Sequence, residues 1–228
     1  MKKDIFRHED KYILDDMQAA ILKARAGAVL RPDSHTRPDG CYTIKSLYFD
    51  DINNSCYYDT ENGNDPRAKF RIRLYNDDIG MLRLEKKIKQ NGLTLKKQTV
   101  ISREECERLI LGKPFDTAGI NDEGKKSLIT EFYMRGLVPV IIVEYERLPY
   151  VYPASDLRFT IDDRISYSTD VKGFPERKAR MLGTRPGFHI MELKWNSFLP
   201  GYLTECLAIG SLQRSRFSKY YYCRSMTF

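Results

Sequence analysis

KFRIRLY at residues 69–75 and LRLEKKIK at residues 82–89 decide how the whole chain reads. Side chains alternate across a β-strand, so residues two apart share a face. In the first stretch Lys69, Arg71, Arg73 and Tyr75 lie on one face, against Phe70, Ile72 and Leu74. In the second, Arg83, Glu85, Lys87 and Lys89 oppose Leu82, Leu84, Lys86 and Ile88. On a single strand this is the pattern of an ordinary sheet with one wet side. On consecutive strands it sets like charges opposite one another, which destabilises the pairing unless an anion relieves it.

Working outward, the same alternation marks Tyr42 to Phe49, Lys69 to Tyr75, Met81 to Lys89, Leu93 to Ile101, Val140 to Leu148, Leu157 to Asp162 and His189 to Trp195 as strands. Arg7 to Leu14 adds an eighth. Polar groups again share faces: Arg7, Glu9 and Lys11; Tyr145 and Arg147; Arg158, Thr160 and Asp162; Glu192 and Lys194. Turned inward together, these faces enclose a basic lumen with a few carboxylates. Eight strands leave room inside a barrel for side chains or one narrow ligand.

Helices are fewer. Asp15 to Leu30 carries Met17, Ala20, Ile21, Ala24 and Ala28 at helical spacing, and Ser102 with Glu105 forms a capping box ahead of Cys106, Leu109 and Ile110. Asp122 caps a helix carrying Leu128, Ile129, Phe132 and Tyr133. Gly201 to Ser225 reads as one or two amphipathic helices, with Leu203, Leu207 and Leu212 on the first part and Phe217, Tyr221 and Tyr222 on the second. Arg31 to Gly40 and Gly112 to Asp122 are loop-like. Many strands with a few helices predict an α+β fold, an antiparallel barrel in one domain over 1–228.

Composition bounds the function. Thirty-eight Lys plus Arg against 31 Asp plus Glu give +7 and a pI near 9.1, which favours an anionic partner. Five scattered cysteines without a CxxC pair indicate neither a disulfide framework nor a zinc site, and fit a reducing compartment. MKKDIFRHEDKY at the start has no apolar h-region, and the longest strongly apolar run, near Val138 to Val143, is too short to span a bilayer. The expectation is a soluble, cytoplasmic protein.

RHEDKY at 7–12, SLYFD at 46–50, KFRIRLY, LEKKIK at 84–89, EYERLPY at 144–150, LRFTIDD at 157–163, IMELKW at 190–195 and FSKYYY at 217–222 together resemble the VTC domain, in order and over nearly the whole chain. This is the polyphosphate polymerase domain within the triphosphate tunnel metalloenzyme, or CYTH-like, superfamily. The resemblance implies an antiparallel β-barrel tunnel that extends linear polyphosphate from ATP with a divalent metal, typically Mn2+, with Mg2+ as the alternative. It implies phosphate contacts from Lys11, Arg71, Arg73, Lys87, Lys97, Arg147, Arg158, Ser218 and Lys219, with Tyr145 beside them. Glu192 would hold the metal. Glu9 and Glu85 count with the substrate lining, Glu85 also as a weaker metal candidate, and Lys194 joins by parity with Glu192.

The superfamily's ExExK signature reads Arg7, Glu9, Lys11 here, and the arginine in a carboxylate position favours synthesis over two-metal hydrolysis. Two other readings stay open: a tripolyphosphatase or nucleoside triphosphatase of the same fold, and a non-catalytic polyphosphate-binding module. GINDEGKKS at 119–127 imitates a Walker A loop, but Lys126 stands where Ser or Thr is required and no strand precedes it. His189 alternates out of phase with Glu192 and Lys194 and reads as structural. Tyr220, Tyr221 and Tyr222 beside Arg214 and Arg216 could stack on bases, but a tail helix packing its aromatics on the barrel is favoured over a nucleic-acid surface. No regulatory or membrane domain accompanies the motifs, which leaves any membrane partner open.

Overall fold

The computed structural model describes residues 5–114, 116–176, 179–196, 198–208 and 212–228. Its strands are β1 (His8–Leu14), β2 (Arg31–Pro32), β3 (Tyr42–Asp50), β4 (Arg67–Tyr75), β5 (Leu82–Gln90), β6 (Leu93–Ile101), β7 (Val138–Val151), β8 (Arg158–Ser168), β9 (Leu182–Gly183) and β10 (His189–Trp195). Its α-helices are α1 (Asp16–Val29), α2 (Ser55–Glu61), α3 (Arg103–Ile110), α4 (Glu123–Met134), α5 (Gly201–Cys206) and α6 (Lys219–Ser225). The main sheet is antiparallel and runs β1-β10-β8-β7-β3-β4-β5-β6. It curls until its two edges meet at a bridge in which Arg7 and Thr94 exchange backbone hydrogen bonds, each at 3.0 Å.

The apolar faces of the strands point outward, under the helices. Phe70, Ile72 and Leu74 of β4 and Leu82 and Leu84 of β5 are fully buried against Cys106 and Leu109 of α3 and Leu128, Ile129 and Phe132 of α4. Across the barrel, Phe159, Ile161, Met191 and Leu193 pack with Leu22 of α1 and Leu203 of α5. A third cluster, with Ile141, Val143, Tyr220 and Cys223, fastens α6 to the sheet. Burial of apolar surface on the outside is what leaves the opposite faces free to be charged.

α1 opens with a capping box beyond those expected from the sequence: Asp15 accepts from the Gln18 amide at 2.7 Å, and the Asp15 amide donates to the Gln18 side chain at 3.0 Å. The buried stripe is Ala19, Leu22 and Ala26, however, and Met17, Ala20, Ala24 and Ala28 face solvent. An alanine-rich helix has two weak stripes, and the one holding Leu22, continuous with buried Leu14 and Leu30, meets the sheet. The capping box at Ser102 and the cap at Asp122 form as predicted, so Gly124 and Lys125 lie inside a helix rather than in a phosphate loop. Within Gly201 to Ser225, residues 209–211 lie outside the described residues, as do 1–4 of the N-terminal stretch and 115 of the predicted loop. No helix among the described residues is long and apolar enough to cross a membrane.

Candidate functional site: a basic lumen between two mouths

The inward parity of the strands produces one continuous polar interior. One cavity in it is edged by Arg67, Lys89 and Arg216, and a second is edged by the exposed Arg158. Glu9, Arg71, Arg73, Lys87, Arg147 and Lys194 line both, forming a charged waist. Beyond the second cavity, Arg7, Arg83, Lys96, Arg158 and Trp195 edge an outer vestibule.

The waist arginines are held from behind. Arg71 places its Nε at 2.7 Å and its Nη2 at 2.6 Å from the same oxygen of Glu85, and donates to the Tyr48 hydroxyl at 3.0 Å. Arg73 donates to Ser46 and to the Tyr145 hydroxyl, each at 3.2 Å. Lys96 reaches the other Glu85 oxygen at 3.3 Å. Burial opposes the ionised form of Glu85, but Arg71, Arg73 and Lys96 outweigh it and hold the carboxyl well below its usual range.

The remaining lumen carboxylates are likewise engaged by cations. Glu9 accepts from Lys87 at 2.7 Å and lies 3.2 Å from Lys11. Glu192 lies 2.6 Å from Lys194, 3.2 Å from Arg147 and 3.4 Å from Lys11. Asp162 takes a fork from Arg147 at 2.5 and 2.7 Å and an ion pair from Lys219 at 2.5 Å. Burial alone would raise Glu192, yet Lys194, Lys11, Lys219 and Arg147 drive it well below the ordinary range. The cations bear the opposite consequence. Burial, with repulsion from Lys11 and Lys194 against the pull of Glu9, brings Lys87 down to about 7.

Lys11, Arg71, Arg73, Lys87, Arg147, Tyr145, Glu9, Glu192, Lys194, Ser218 and Lys219 thus converge on the first cavity. Arg158 stands apart, exposed at the second mouth. Two predicted positions lie away from the cavities. Lys97 lies on the outer face of β6, exposed and paired in register with outward-facing Lys86, so its neighbour Lys96 lines the lumen instead. Glu85 has no exposed surface and lines neither cavity, because its oxygens are spent on the arginines above it.

Lys69, Lys96, Tyr48 and Asp162 belong to the interior without having been assigned a role. Strand parity places Lys69 beside Arg71 and Asp162 beside Thr160, whereas the register of β6 rests on a strand that reads LTLKKQTVI, where two adjacent lysines satisfy either face. His189 is outside the lumen, with Nε2 at 2.9 Å from Asp16 and Nδ1 at 3.1 Å from Asp163. Tyr220 is buried on Tyr48, Tyr221 stacks on Tyr57 and Tyr222 on Phe188, which occupies the aromatic tail in packing. Among the described residues no three His, Cys, Asp or Glu side chains group as a metal cage.

The VTC domain model matches residues 6–228. No curated protein matches the chain by sequence. Among solved structures, a "putative adenylate cyclase" from Bacillus halodurans superposes with a TM-score of 0.51 at 13% identity, covering 86% of this chain and 83% of that one. HpAC1 from Hippeastrum, a protein described with a dominant triphosphatase activity, gives 0.49 at 15% identity over 96% of each chain. PH1012 from Pyrococcus horikoshii gives 0.49 at 11% identity over 93% and 96%. The first of these likenesses is one of fold, a curled antiparallel barrel.

Proposed function

This chain belongs to the VTC domain family, and on that premise we propose that its lumen transfers the γ-phosphate of ATP to the end of a linear inorganic polyphosphate. The observation that carries this reading is the shared waist. Arg71, Arg73, Lys87, Arg147 and Lys194 line both cavities, so a linear polyanion passing between the mouths meets all of them.

Phosphoryl transfer asks the protein for position and charge neutralisation rather than covalent help. A terminal oxygen of the chain attacks the γ-phosphorus in line. The new P–O bond forms as the bond from that phosphorus to the β–γ bridging oxygen breaks, and ADP leaves with the electron pair. Arg71 and Arg73, fixed by Glu85, Tyr48, Ser46 and Tyr145, present their guanidinium groups without reorganising. Lys11, Lys87, Lys194, Lys219 and Arg147 offset charge on the transferred group, and Ser218 offers a hydroxyl at the same wall. Arg158 guides phosphates at the second mouth. Glu9 spaces Lys11 and Lys87 against each other.

A divalent ion such as Mn2+ or Mg2+ fits this donor set as a companion of the triphosphate, since such ions are often held by one or two carboxylates plus substrate phosphates. Glu192 would hold it, and the ion would supply Lewis-acid polarisation of phosphate oxygens. Incoming phosphates compete for Lys11, Lys194 and Arg147 and so release the Glu192 oxygens for that role. The reaction is proposed for the cytoplasm, where ATP is abundant. The purified chain, given ATP and Mn2+, is expected to produce a polyphosphate ladder on a gel. Phosphate release without chains would replace this reading with hydrolysis.

A further inference from the structure

Lys69 differs from the lumen cations around it. Lys11, Lys87, Arg147 and Lys219 each reach a carboxylate. Lys69, among the described residues, has none: its Nζ donates to the Ser218 hydroxyl at 2.8 Å and sits 5.4 Å from the centre of the Tyr220 ring. The groups that face it are Lys11 from β1, Arg67 on its own strand, Lys87 from β5, Cys56 from α2, and Tyr220 from α6. It lines the wall of the first cavity, toward the mouth formed by Arg67, Lys89 and Arg216.

A half-buried amine in that company holds its charge poorly. Burial and then repulsion from Lys11, Lys87 and Arg67 depress its pKa well below the usual lysine value. The near hydroxyl and ring provide no compensating anion. What the position lacks is a negative group beside Ser218, and a phosphate supplies it.

We infer that Lys69, hemmed in by Lys11, Lys87 and Arg67 with no carboxylate in reach among the described residues, is a further phosphate-binding residue that takes up a proton from solvent when a phosphate of a linear polyphosphate settles beside Ser218. This rests on the tunnel reading above. Nothing else is consumed: the proton moves from buffer to Nζ, and the chain gains an ammonium contact at the mouth. Filling this end of the tunnel is therefore coupled to proton uptake.

The test is calorimetric titration of a linear polyphosphate, long enough to span both cavities, into the full chain at pH 8 in buffers of differing ionisation enthalpy. Proton uptake is expected in the wild type. Lys69→Arg, which stays charged, is expected to lose a measurable part of that uptake while affinity holds within a few-fold. Lys69→Met is expected to lose the same part of the uptake and about tenfold or more in affinity. Uptake left by Lys87 persists in both. Thermal melts establish that each variant is folded, and either alone reports the proton count. Wild-type binding with uptake unchanged in the variants overturns this inference and leaves the tunnel reading standing. A wild type that binds no polyphosphate overturns both.

Discussion

Arg71 and Glu85 face each other across the β4–β5 pair, and one carboxylate oxygen receives both the Nε and the Nη2 of the guanidinium. Glu85 is fully buried, so its charge is balanced by Arg71, Arg73 and Lys96 rather than by water. Removing one partner of such a buried pair strands the others. Glu85→Ala is expected to cost about 3–5 kcal/mol of stability, read from denaturant midpoints. Glu85→Gln keeps an acceptor for Arg71 and is expected to lower kcat while leaving KM for ATP within a few-fold. A wild-type midpoint in the alanine variant would show that the arginines re-pair within the lumen.

Lys96 and Lys97 separate the two faces of β6. Lys96→Ala is expected to weaken tripolyphosphate binding by about tenfold, because it lines the second cavity. Lys97→Ala, on the outer face, is expected to change that affinity less than twofold. Calorimetry on both variants checks the assignment, and the reverse order of effects would mean that β6 pairs one residue out of register.

Much of this was legible from alternation. Phe70, Ile72 and Leu74 had to share a face, so Lys69, Arg71 and Arg73 had to share the other, and β3, β6 and β10 fall within a residue of their expected bounds. Alternation does not tell which face is enclosed. Only closure of the sheet at Arg7 and Thr94 makes the charged side the inside. α2 was illegible for a different reason. Its N-cap, Asn54, has a positive φ of 53° and makes no side-chain cap; Asp50, beyond the cap, accepts from the amides of Cys56 at 2.8 Å and Tyr57 at 3.1 Å. Asp50 also takes the Tyr220 hydroxyl, a contact no local pattern encodes.

That same carboxylate yields a stability prediction. Asp50 ties α2 to α6, so Tyr220→Phe removes a hydrogen bond to a buried charged group and is expected to cost about 1.5–3 kcal/mol. The measurement is urea unfolding at neutral pH. No loss would indicate that the amides of Asp51, Cys56 and Tyr57 satisfy Asp50 by themselves.

Lys87 gives the lumen a pH dependence near neutrality. Its pKa in the empty protein is about 7, and phosphate prefers the charged form. Below pH 7 the amine is already protonated and its contribution to affinity is full and flat. Above pH 7 binding must first recruit the proton, so affinity falls as pH rises, by up to about tenfold per unit for one coupled proton. Lys87→Arg is expected to reduce this slope between pH 7 and 9 in tripolyphosphate titrations, leaving only the part that Lys69 supplies. An identical slope in the variant would assign the dependence to another group.

Glu192 carries the most consequential prediction, because it is an acceptor set among groups suited to anions. If it served only to space Lys11, Lys194 and Arg147, then Glu192→Gln would leave synthesis largely intact, since an amide oxygen still accepts from all three. If it holds the divalent ion, the amide, a much poorer ligand, is expected to abolish the polyphosphate ladder and weaken Mn2+ binding in the presence of triphosphate. Binding of preformed polyphosphate would stay intact or tighten, because one negative charge leaves a lumen that recruits anions. Following Mn2+ by paramagnetic resonance alongside polyphosphate calorimetry separates these roles. Normal synthesis in Glu192→Gln would remove Glu192 from the metal's coordination and leave it a spacer of cations.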